Sequence, residues 1–212
     1  MFGEGRERTL LVLAHLNLIV VPLVSLLAAA NSTYARRTYT EFLLTQPVSR
    51  AAVFLSSVTA LVVGLAGSFV VPVGLVSLPA GLPTWDAFRV LAGGAALAVT
   101  CVLAGVLVAT LVDDRTRGLG AILVVWFVAS VVYDAMLLYV IVLFEEYPVE
   151  PVLAVAVLAN PVDAVRLLMY QNLGLRFLLP VALPEWAIWG SFVAWAGVLL
   201  VVGWRAFVRK DY

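Results

Sequence analysis

The feature that most constrains this chain is the spacing of its charges. From Thr9 to Ala35 there is no Asp, Glu, Lys or Arg, and the same holds from Ala51 to Trp85, Val90 to Val112 and Trp186 to Trp204. A fifth interval, Gly118 to Phe144, is interrupted once, by Asp134. An α-helix needs about 20 apolar residues to cross roughly 30 Å of hydrocarbon. Each interval can therefore hold one crossing, and the expected fold is an all-α polytopic membrane protein with about five transmembrane helices. A hydrophobic fraction of 64% and only 12% charged residues agree with lipid as the solvent. The first apolar stretch has the length of a full span and lacks a cleavage-site pattern, so it reads as a crossing helix and not a signal peptide. The whole of 1–212 is read as one transmembrane domain.

Composition also removes whole classes of function. Thirteen basic and thirteen acidic residues leave no net charge to attract nucleic acid. A single histidine, His15, and a single cysteine, Cys101, cannot build a His/Cys zinc cluster, and with three methionines they offer little to copper. No metal site and no resident cofactor are expected. Neither a phosphate loop ending in Gly-Lys-Ser/Thr, a His-Glu-x-x-His pair, nor a Gly-x-Ser-x-Gly elbow is present, so ATP hydrolysis and hydrolase chemistry are not expected on this chain.

Cations counted on alternate sides of five crossings set the orientation. With the carboxyl terminus inside, Arg36, Arg37, Arg50, Arg115, Arg117, Arg205, Arg209 and Lys210 share the inner side, against Arg6, Arg8, Arg89, Arg166 and Arg176 outside. Trp85, Trp186 and Trp189 fall at the outer boundary and Trp204 at the inner one. The amino terminus is then outside.

Between the last two spans, 145–185 reads as short outer-face helices at the membrane surface or dipping into it. Val152 to Ala159 is apolar, but eight helical residues rise only about 12 Å. Asn160-Pro161-Val162-Asp163 then supplies a capping residue, proline at the first helical position and an acid in the first turn, which starts a helix running to about Asn172.

The polar residues inside spans are His15, Asn17 and Asp134. Asp134 is a candidate for substrate contact, proton transfer or gating, since an intramembrane carboxylate is costly; helix–helix hydrogen bonding is the plainer alternative. His15 and Asn17 suit interhelical hydrogen bonds, and His15 could pair with Asp134. No second acid falls in a predicted span. Around Cys101, the stripe Gly94, Ala98, Cys101 and Gly105 suits close helix packing.

The loop 31–50 is the most informative polar segment. Tyr39, Phe42 and Leu43 recur at helical spacing, with Arg37, Glu41 and Thr45 on another face, so its middle reads as a short amphipathic helix ended by Pro47. Ser49 can cap the next crossing, with Arg50 reaching to the interface. Glu41-Phe-Leu-Leu-Thr-Gln-Pro-Val-Ser-Arg50 resembles the Glu-Leu-Leu-Leu-x-x-Pro-Val-x-Arg element of ABC-2 type transporter permeases. Val131-Val-Tyr-Asp134 and Asn160-Pro-Val-Asp-Ala-Val-Arg166 are similar to elements of the NosY type, the permease branch encoded with nitrous-oxide reductase maturation genes.

That resemblance implies a homodimeric permease in the cell (inner) membrane, driven by a separate ATP-binding subunit that carries the ATP. Arg36, Arg37, Glu41, Gln46 and Pro47 would form the cytoplasmic coupling element. A periplasmic maturation protein is a further implied partner, and the cargo would be a species, sulfur-containing by this reading, needed for copper-centre assembly. Family members usually have six spans with both ends inside, so the chain is expected to be one span short, through a misplaced start or a true variant. A small proton-coupled carrier using Asp134 and His15, or a non-transporting membrane scaffold, are the alternatives.

Overall fold

The computed structural model describes residues 2–77, 84–144, 150–172, 181 and 183–210, and the side chains of these residues except at 2–17, 76–77, 84, 86–87 and 172. His15 and Asn17 thus lie outside the described residues as far as their side chains are concerned. The helices are α1 (Phe2–Ala35), α2 (Arg37–Leu44), α3 (Arg50–Ser77), α4 (Thr84–Leu111), α5 (Arg115–Phe127), a π-helical turn (Val128–Val132), α6 (Tyr133–Leu143), α7 (Glu150–Ala159), α8 (Pro161–Asn172) and α9 (Glu185–Arg209). No strand occurs among the described residues.

Among the described residues, five helical stretches are long and apolar enough to cross a membrane, Leu18–Ala35, Arg50–Leu75, Phe88–Leu111, Arg115–Leu143 and Glu185–Arg209, and the bent pair α7–α8 would be a sixth if it crosses as one span. The protein is an all-α polytopic membrane protein, as the charge-free intervals require. Two boundaries move. Asn31–Ala35, expected to open the first loop, instead completes α1, because nothing there breaks a helix and Thr33 Oγ1 donates back to Ala29 O at 2.8 Å. The chain turns only at Arg36. The fourth span starts at Arg115, where Asp114 caps it by accepting from the Arg117 amide at 2.7 Å.

α4 is the central helix, packed against α1, α3, α8 and α9. Between apolar helices in lipid, association depends on close packing and not on water exclusion, so small residues at contacts matter most. Gly105 illustrates this. A Cβ built there would lie 2.6 Å from the backbone oxygen of Leu26, so α1 and α4 can approach this closely only over a glycine. Ala98 and Cys101 on the same stripe are buried. α3 and the fourth span, by contrast, keep most of their apolar surface outside the monomer's core.

α7 and α8 form a pair bent by 118° at Asn160. α8 does not lie on the surface: Val162, Ala164, Val165, Leu167, Leu168 and Met169 are all buried, against α1, α4 and α9. Apolar residues surround this helix on most sides, the pattern of a helix enclosed by protein.

Candidate functional site

Two places gather the polar side chains. The first is the basic end of the bundle, where the ends of α1, α3, α4 and α9 meet. α2 projects from this end with no buried residue. Leu43 and Leu44 lean onto the apolar cluster of α3 and α9 around Phe54, Trp204 and Phe207, whereas Tyr39 and Phe42 point away, 61% and 60% exposed. The apolar stripe expected from Tyr39, Phe42 and Leu43 is thus divided between the bundle and the outside. The turn after α2 is exposed at Gln46 and Pro47. Ser49 Oγ accepts from the Ala52 amide at 3.2 Å and so caps α3.

The base of α2 is tied to the bundle. Arg37 donates to Asp113 Oδ1 at 3.0 Å and to its backbone oxygen at 2.7 Å, with its guanidinium 5.6 Å from the Tyr34 ring centre. Tyr34 in turn donates to Val112 O at 2.9 Å and lies against Gly118, where a Cβ would come within 1.8 Å of its hydroxyl. Lys210 joins the same carboxylate at 2.6 Å and also donates to Thr110 O at 2.8 Å. Arg50 donates to Val208 O at 3.0 Å and to Lys210 O, satisfying carbonyls that the end of α9 leaves free. Arg115 donates to Asn31 Oδ1 at 2.6 Å. The Lys210 ammonium, hydrogen-bonded to Asp113, and the Arg37 charge hold the Asp113 carboxyl below its ordinary value of 3.8.

Of the expected coupling residues, the structure thus fastens Arg37 to the α4–α5 turn and leaves Glu41, Gln46 and Pro47 exposed. Arg36 lines a small cavity of about 50 Å³ together with Arg37, Thr33 and Thr40.

The second place lies between the fourth span and the α7–α8 bend. Asp134 pairs with Arg166, and Arg166 donates to Asp163 Oδ1 at 2.7 Å. Asp163 is 1% exposed; its other oxygen accepts from Asn160 Nδ2 at 2.7 Å. Asn160 completes a double role. Its Oδ1 accepts from the Val162 amide at 3.1 Å as a helix cap, and its Nδ2 also donates at 2.7 Å to Ala129 O in the π turn. Tyr133 donates to Ala156 O at 2.7 Å. A π turn widens the helix by one residue and disturbs its regular backbone bonding, which is where Asn160 finds its acceptor.

No second acid was expected in a span with Asp134; the structure brings one beside it from α8, Asp163, through their shared Arg166. Asp163, read as a helix-start acid, is folded onto the same arginine, because α8 is buried in the protein and its acid must be paired. Asp134's partner is Arg166, which the sequence reading counted only as an outer cation. Beside this cluster an open cavity of about 520 Å³ runs along α1, α4, α5 and α9, with mostly apolar walls and Ser130, Tyr133 and Asn160 at one side. Among the described residues, no three or more His, Cys, Asp or Glu side chains converge as a metal site.

At the opposite end from α2, Arg89 pairs with Glu185 at 2.5 Å and lies over Trp85, joining the starts of α4 and α9. The two ends are thus distinct: the cations assigned to the inner side meet at the end carrying α2, and Arg89 lies at the other.

No protein-family model matches the chain. Over 228 aligned positions, covering 95% of this chain and 80% of the relative, it is 28% identical to a probable ABC transporter permease protein NosY of Stutzerimonas stutzeri. The chain is thus similar, along nearly its whole length, to a protein named as a probable ABC transporter permease.

Proposed function

We infer that the chain is the membrane-spanning subunit of an ATP-driven transporter of the ABC-2 type, working with a separate ATP-binding subunit docked on α2. The observation that carries this reading is α2 itself: an exposed helix between two spans, displaying Tyr39 and Phe42 outward and anchored at its base by Arg37. Two aromatic rings on a projecting helix suit a pocket on a soluble partner, because large apolar contacts at the centre of an interface supply most of its affinity. Glu41 would add a polar contact at the rim, and Gln46-Pro47 a stiff joint to α3. Force applied to α2 would pass through Arg37 and Asp113 to the α4–α5 turn, and through Lys210 to the end of α9.

The finer reading rests on the resemblance of Val131–Asp134 and Asn160–Arg166 to the NosY type. By it, a homodimer in the inner membrane exports a species used in assembling the copper centre of nitrous-oxide reductase, with a periplasmic maturation protein receiving it. The lightly buried faces of α3 and the fourth span leave room for a second copy. A proton-coupled carrier built on Asp134 and His15 draws less support, since Asp134 is engaged by Arg166. The test is a photo-crosslinking residue placed at position 39 or 42 in the native membrane. Capture of a subunit containing a Walker A phosphate loop is expected; efficient crosslinking to lipid alone would overturn the reading.

A further inference from the structure

One face of α9 changes character along its length. Val198, Val202, Arg205 and Arg209 follow at spacings of four, three and four, so they form a single stripe, and all four are exposed. An open groove of about 500 Å³ lies between the lower part of this stripe and the end of α4. Leu111, itself 62% exposed, and Val202 form its apolar wall; Arg205, Arg209 and Lys210 form its rim.

The charges of the groove do not cancel. Asp113 is the carboxylate lining it, and Asp113 is already occupied by Lys210 at 2.6 Å and Arg37 at 3.0 Å. Arg205 and Arg209 have no anionic partner among the described residues, whereas Arg37, Arg50 and Arg115 at the same end each donate to an acceptor of the protein. Two guanidiniums one helical turn apart can share one phosphate, which they bind with several donors at once. From Val198 to Arg209 the helix rises about 16 Å, so the apolar part of the stripe reaches into the depth where acyl chains lie. A soluble anion would use the rim and leave the wall bare. An amphiphile with an anionic head uses both.

We propose that the α4–α9 groove binds an anionic membrane phospholipid, its phosphate held by Arg205 and Arg209 and its acyl chain lying on Leu111 and Val202. Such a lipid would sit at the end of α9 that Lys210 and Asp113 connect to α2. The site does not depend on ATP-driven transport, since lipid retention is measured on the chain without any partner.

The test is native mass spectrometry of the purified chain after equilibration with mixed phosphatidylglycerol and phosphatidylcholine. The parent protein should retain phosphatidylglycerol preferentially. Arg205→Gln/Arg209→Gln should retain it less by about fivefold for each arginine, and Arg205→Lys/Arg209→Lys should recover part of the loss. Because both side chains are exposed, thermal melting should not change. A diazirine-bearing phosphatidylglycerol should label the parent protein within 198–210, a readout that needs no variant. The proposal is overturned by equal retention in parent and Gln variant, by absence of label from that segment, or by displacement of the lipid by inorganic phosphate. It is equally overturned if the Gln variant loses a co-purifying protein partner while its lipid retention stays unchanged.

Discussion

The Arg37 guanidinium reaches Asp113 across 76 residues of sequence, bonding both the carboxylate and the backbone oxygen of that residue. This fastens the base of the projecting helix α2 to the turn between the third and fourth spans. An exposed ion pair of this kind adds little to stability, because solvent screens it, so the pair matters as a mechanical joint more than as a stabiliser. Arg37→Ala should leave thermal stability nearly unchanged. In liposomes with the ATP-binding subunit, it should lower substrate-stimulated ATP hydrolysis about two- to thirtyfold, the range expected when a coupling contact is lost. Stimulation equal to the parent's would show that α2 transmits force by another route.

Glu41 stands exposed on the same helix. Its charge reversal, Glu41→Lys, should weaken the docking of the ATP-binding subunit and reduce coupled ATP hydrolysis without affecting insertion or folding. Unaltered coupling would remove Glu41 from the interface.

Asp113 provides a pH signature. Its pKa is depressed below 3.8, first by the hydrogen bond from Lys210 and then by the charges of Lys210 and Arg37. A depressed value stabilises the folded arrangement at pH above 3.8, and that contribution fades as the pH falls through the lowered folded-state value. A carbon-13 titration of the Asp113 carboxylate should have its midpoint below 3.8, and Lys210→Met should raise it. A midpoint at or above 3.8 in the parent protein would contradict the pairing.

Arg166 pairs with two acids at once, Asp134 and the fully buried Asp163. Arg166→Met should therefore lower stability by about 3–5 kcal/mol, the usual consequence of stranding a buried charge. Adding Asp163→Asn should restore much of that loss, because the neutral amide no longer needs a cation. Melting curves in one detergent decide it: a double variant no more stable than the single one would place the damage in packing instead of charge.

Two glycines offer a matched pair for packing. Gly105 meets the backbone of α1 at a distance no Cβ tolerates, whereas Gly120 has nothing within 4 Å of its Cβ direction. Gly105→Ala should cost about 1–3 kcal/mol through overpacking, while Gly120→Ala should be neutral or stabilising by up to about 1 kcal/mol. Equal melting temperatures for the two variants would mean that α1 and α4 do not pack as closely as Gly105 requires.

Much of the architecture was readable without coordinates. Charge-free intervals located all five spans, Asn160-Pro161 located the start of α8, and the recurrence of Tyr39 and Phe42 located α2. The polar cluster was not readable, for a specific reason. Asp163 and Arg166 lie in a segment, 145–185, that holds five prolines and several charges, which hydropathy places at a surface. The signal that could have corrected this was the near-continuous apolar sequence around them, Val162, Ala164, Val165, Leu167, Leu168 and Met169, since a helix apolar on most sides is enclosed by protein. The acceptors of Arg50, the carbonyls of Val208 and Lys210, were likewise not readable, because they lie some 160 residues away in sequence.

Crossing a membrane depends on a sum over consecutive residues, so the sequence by itself determined the solvent, the five long apolar helices and the position of the helix between the first two. Which charges meet depends on how helices rotate and how closely they approach. Only the tertiary structure, through contacts such as Gly105 on Leu26 and the bend at Asn160, decided that Arg166 holds Asp134 and Asp163 together and that Asp113 joins α2 to the end of α9.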